Sequence, residues 1–148
     1  DDVAQYINKT YDSWSVLGKN SMIHWLHPSM QFVFKLRSED VDGSGSLTGD
    51  IMNEEQHLAL LRSQGQVFFL WMTLFFKLYL QVIFGKFDAA AAVLEEMMSA
   101  GETASPFYHF HFAPWHFFGA LTHYELYKAS GGKRQHLKTA RMYLRALE

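Results

Sequence analysis

Between Val67 and Phe84 the chain reads VFFLWMTLFFKLYLQVIF, and this run limits the folds open to it more than any other feature. Its length approaches that of a membrane-spanning helix. Thr73, Lys77 and Gln81 interrupt it, however, and no basic cluster flanks it to set an orientation across a bilayer. A helix that is apolar nearly all round is also what the centre of a helical stack requires. The buried reading is the stronger one, and it demands partner helices on every side. The rest of the sequence supplies them. Glycine-free stretches rich in Leu, Met, Ala, Glu, Gln and Lys end at glycines such as Gly43 to Gly49, Gly85, Gly101 and Gly131-Gly132. No alternating apolar pattern between paired turn signals suggests strands. The expected class is all-α, with antiparallel helical hairpins stacked in a single domain over residues 1–148.

A first helix is expected over about Val3 to Val16, where Val3, Tyr6, Ile7, Tyr11 and Trp14 fall at helical spacing. A second covers Ser21 to Arg37 and is interrupted at Pro28, which could open a fresh helix. Ser38 to Asp50 reads as a flexible polar loop. A long helix follows from about Met52 to Phe84, weak or broken at Gly65, with Asn53 and Gln56 compatible with a capping box. Phe84-Gly85-Lys86-Phe87-Asp88 ends it and starts another helix, with Asp88 as N-cap, running to about Ala100. Thr103 to Ala113 reads as a linker with some helical character, and Pro114 as the first-turn proline of a helix to about Ala129. Ser130-Gly131-Gly132 then turns the chain into a last helix, Lys133 to Leu147.

The second members of the last two hairpins share a pattern. Phe87, Ala90, Leu94 and Met97 reappear as Leu137, Ala140, Leu144 and Leu147 at an offset of 50 residues. Gly85-Lys86-Phe87 with Ala90 matches the turn between the helices of a TPR motif. There the glycine permits the turn, the aromatic fills the angle, and the alanine marks the closest approach. The spacing exceeds the roughly 34 residues of a standard repeat, so the repeats are long and degenerate.

Several segments together resemble the helical-repeat region of large hybrid signalling proteins. These combine a kinase-like module, an AAA/STAND-type ATPase, a TPR-like array, and GAF or PAS sensors with histidine kinase or nucleotide-cyclase output. The matching residues are Leu36-Arg37-Ser38-Glu39-Asp40, Leu47-Thr48-Gly49-Asp50-Ile51-Met52 with Glu54-Glu55, and Phe84-Gly85-Lys86-Phe87 with Ala90. Phe117-Phe118-Gly119-Ala120-Leu121-Thr122 and Lys133-Arg134 through Ala140 to Leu144 complete the set. Order and approximate spacing agree over residues 28 to 148. Val41 to Ser46 departs from the family, which has a shorter, proline-containing link there. The resemblance implies a cytoplasmic connector between ATPase and sensors, with no catalytic residue and no cofactor. Its partners would be neighbouring domains or another protein. Gly85, Phe87, Ala90, Gly119 and Ala140 are its key positions, all as architecture.

Bulk properties agree with such a role. Hydrophobic residues make up 49% and aromatics 16%, which builds a core and excludes disorder. The net charge is −2, from 13 Lys and Arg against 15 Asp and Glu, and it argues against a nucleic-acid surface. Without cysteine, disulfide and thiolate chemistry are excluded. The chain opens on Asp1-Asp2 with no secretory signal, so an excised fragment of a larger protein or a processed product is expected. A truncated array exposes apolar end faces, so self-association or packing on a neighbour is expected too.

Two patterns could carry chemistry. Asp40 to Thr48 looks like the start of an EF-hand calcium loop, with Asp40, Asp42 and Ser44 at positions 1, 3 and 5 and Gly45 at 6. Ile51 stands where the bidentate Glu belongs and cannot coordinate. A calcium-responsive module using Asp40, Asp42 and Ser44 is therefore the alternative reading, behind the polar-loop one. Histidines at 24 and 27, 109 and 111, and 116 and 123 invite a metal, yet lack a zinc signature and read as packed or rim residues. Glu54-Glu55 and Glu95-Glu96 point apart on a helix and read as solvated. No nucleophile elbow or phosphate-binding loop is present.

Overall fold

A computed structural model describes residues 20–37, 43–101 and 108–148. They form helices α1 (Asn20–Arg37), α2 (Glu54–Ser63), α3 (Val67–Ile83), α4 (Phe87–Gly101), α5 (Tyr108–Ala129) and α6 (Arg134–Arg145), with no strand among the described residues. The chain is all-α. The helix expected over Val3 to Val16 lies outside the described residues.

The apolar run becomes α3, which packs against α1, α2, α4 and α5. Leu74, Leu78 and Leu80 are completely buried. Each polar interruption of the run has a reason. The Thr73 hydroxyl donates to the Phe69 carbonyl at 2.8 Å, one turn back. Lys77 reaches Glu54 of α2 at 2.8 Å. Gln81 is buried beneath Gly45, whose missing Cβ would meet it at 2.9 Å. No helix among the described residues is long and apolar enough to cross a membrane.

Short turns return the chain on itself. Gly65, with φ of 62°, separates α2 from α3, so the long helix expected from Met52 is two helices. Asn53 caps α2, its side chain accepting from the Gln56 amide at 3.0 Å. Gly85, with φ of 68°, turns α3 into α4. Asp88 lies inside the first turn of α4 and is not its cap. A carboxylate there still complements the helix dipole. Ala90 is fully buried and half-buried Phe87 packs on the core.

Both prolines assigned to helix starts lie inside helices. Pro28 sits within α1 and Pro114 within α5, which already begins at Tyr108. The expected linker from Thr103 to Ala113 is thus helical from Tyr108 onward. Gly119, midway along α5, receives the ring of Tyr143 from α6. A Cβ at Gly119 would stand 2.7 Å from that ring. Tyr143 also packs edge-on against Trp115, and its hydroxyl donates to the Met98 sulfur of α4 at 3.3 Å.

The offset pattern is only half repeated in burial. Ala90, Leu94 and Met97 are buried, as is Ala140, but Leu144 and Leu147 are exposed. Among the described residues α6 packs mainly on α5, and Leu144 and Leu147 stay uncovered.

Candidate functional site

The segment before α2 is fixed in place, contrary to the flexible polar loop expected from its composition. Leu47 is completely buried with Met52 and Leu80, against Phe32, Phe76 and Phe84. Its amide donates to Glu54 Oε2 at 2.7 Å, while Lys77 holds Glu54 Oε1 at 2.8 Å. The Ile51 amide donates to Gln31 Oε1 at 3.0 Å, and the Glu54 amide to the Thr48 hydroxyl at 3.1 Å. Small, polar residues thus sit over a buried leucine, and backbone amides here are satisfied by side chains of α1 and α2 and by hydroxyls of the segment itself.

Of the calcium-ligand candidates, Asp40 and Asp42 lie outside the described residues. Ser44 is exposed, and its hydroxyl accepts from the Ser46 amide at 3.1 Å. Glu54, the carboxylate nearest in sequence that might replace the missing position 12, has both oxygens engaged. Glu54 is not the solvated residue its sequence context suggests: its side chain is 12% exposed. Glu96 pairs with Arg62, whereas Glu55 and Glu95 are exposed as expected. No group of three metal-ligating side chains is assembled among the described residues.

The histidines form two clusters, and sequence spacing identified only part of each. His24 and His27 of α1 meet His57 of α2, with ring centroids 5.5 and 6.5 Å from it, and Phe69 closes over His24. Pro28 bears on this arrangement. Having no N–H, it leaves the His24 carbonyl without its helical donor, and the His24 backbone lies near the His57 ring, favouring its protonated form. Burial outweighs that help and, with His24 and His27 alongside, holds His57 down to about 4. His27 is also lowered, by burial first and His24 second. On the other hairpin His123 stacks on His136 at 5.8 Å and on Tyr143 at 6.0 Å. Burial and His136 lower His123, against the pull of Glu95. His109 and His111 lie in the part of α5 whose side chains fall outside the described residues. His27, His57 and His123 are packed against other rings, and burial holds each below the ordinary histidine value.

One surface was missed altogether. Residues 126 to 147 hold six Lys and Arg and no Asp or Glu, although the whole chain is net −2. On α6 the cations Arg134, Lys138, Arg141 and Arg145 recur at i, i+4, i+7 and i+11, all exposed. They form one row along the outer side of the helix, opposite buried Ala140 and Tyr143. Exposed Met142 borders the row on one side; half-buried Leu137 and exposed Leu144 border the other. An open groove of ≈1060 Å³ runs along these cations, with Tyr127, Gly132, Leu137 and Met142 in its wall. Whole-chain charge concealed the row; a windowed count reveals it.

No protein family, no curated protein and no solved structure matches the chain.

Proposed function

We propose that this chain is a non-catalytic, TPR-like helical scaffold or connector within a multidomain signalling ATPase or kinase, where it mediates protein–protein or interdomain contacts. The observation carrying this reading is the set of large apolar side chains left uncovered around a central helix whose leucines are completely buried. Leu60, Ile83, Met98 and Phe117 are exposed on the middle helices, and the first and last described helices add more. On α1 these are Trp25, Phe34 and Leu36; on and just beyond α6 they are Met142, Leu144 and Leu147. An internal segment of a helical stack has these open ends, which bury on a neighbour. The packed histidines and the engaged Glu54 also account structurally for groups that could have served chemistry. The cytoplasm is the compartment this reading implies.

Photo-cross-linking from Trp25, Phe34 and Leu144, each replaced by a photoreactive residue, tests the reading in the native cell. It predicts discrete protein adducts from both ends, and loss of the α1 adducts when Leu36→Asp is added. Absence of adducts from either end would contradict it.

A further inference from the structure

We infer that the outer face of α6 is a docking surface for an acidic amphipathic helix of a partner protein. The inference rests on the scaffold reading and deepens it, assigning a partner chemistry to one face.

Helix α6 departs from local stability rules in three ways. Lys133 occupies its N-cap without a side-chain cap hydrogen bond, and its first turn contains no acidic residue. Cations there oppose the positive end of the helix dipole. Arg134, Lys138, Arg141 and Arg145 repel one another along a single row. None of the four has an ion pair among the described residues. Elsewhere Arg62 has Glu96, Lys77 has Glu54 and Lys128 has Glu125. Local rules broken together on one exposed face mark a surface shaped by something other than the stability of this chain.

The geometry selects the partner class. The row lies along a 12-residue helix, about 18 Å at the α-helical rise. A partner helix with carboxylates at i, i+4, i+7 and i+11 presents the same spacing. The row is one cation wide and edged by Leu137, Met142 and Leu144, which suit the apolar borders of such a helix. Duplex nucleic acid calls for a broader, more polar and more basic surface. Fifteen acids against seven bases in the remainder of the chain oppose it further. An anionic membrane takes up a helix through a continuous apolar face, whereas the centre of the exposed face of α6 is the row of four cations, with Met142 on one side and Leu137 and Leu144 on the other.

The probe is a synthetic helical peptide carrying Glu at those four positions and Leu along both edges, titrated into the full chain by fluorescence anisotropy. Saturable binding is expected, weakening at least about tenfold in the Lys138→Glu/Arg141→Glu chain and regained there by a peptide with Lys at the matching positions. Lys138→Gln/Arg141→Gln gives the intermediate loss and serves if the reversed chain does not fold. A peptide of identical composition with its Glu residues scattered should bind at least about tenfold more weakly. Equal binding of the scattered peptide, tighter binding of duplex DNA or phosphatidylserine vesicles, or no binding of the ordered peptide overturns the inference. Failure here with adducts still forming from Trp25 and Phe34 removes this surface alone. Failure of both removes the scaffold reading as well.

Discussion

Gly119 occupies a position where glycine costs roughly 0.5–1 kcal/mol relative to alanine, in the middle of α5. The ring of Tyr143 offsets that cost, because it lies where a Cβ would be. Gly119→Ala should therefore lower stability by about 1–3 kcal/mol in urea denaturation, against the gain that helix propensity alone suggests. A more stable variant would mean that α5 and α6 do not approach this closely. His57 makes a second statement at this scale. Its pKa is lowered to about 4 from 6.5, so the unfolded chain takes up the proton more readily than the folded one. The stability contributed by the neutral ring is complete above pH 6.5 and is lost as pH falls toward 4. Replacing His57 by Leu should make the loss of urea stability between pH 7 and 4 shallower. Superimposable profiles would show that the ring is not held neutral. Neither effect was legible in the sequence beyond Gly119 as an architectural position. Its spacing showed His24 and His27 but gave no sign that His57, thirty residues on, completes their cluster.

At the scale of elements, helix existence was legible and helix ends were not. The apolar run, the capped start of α2 and the glycine turn before α4 all follow from local chemistry, and all are present. Pro28 and Pro114 misled because a proline inside a helix is tolerated where tertiary surroundings accommodate the released carbonyl, which local sequence does not display. The loop before α2 misled in the opposite sense. Gly, Ser and Thr read as mobile, yet Leu47 and Glu54 anchor them. Glu54→Ala removes the acceptor for the Leu47 amide and the partner of Lys77 together. It should cost about 1–3 kcal/mol and open residues 43–53 to limited proteolysis. Unchanged protease resistance would place the anchoring elsewhere.

For the whole molecule, the fold class was legible because one central apolar helix obliges the others to surround it. The distribution of charge was not, since a net charge of −2 averages a basic end against an acidic remainder. Helix α3 forms the buried centre, and the central claim of the proposed scaffold is that the apolar side chains exposed on α1 and α6 are covered by a neighbour. It is tested most directly by sedimentation velocity with ANS binding, on the parent chain and on Phe34→Asp/Leu144→Asp. Concentration-dependent association or strong ANS fluorescence, reduced in the double variant, is the predicted result. A monodisperse monomer that binds little ANS and does not respond to the substitutions would contradict it.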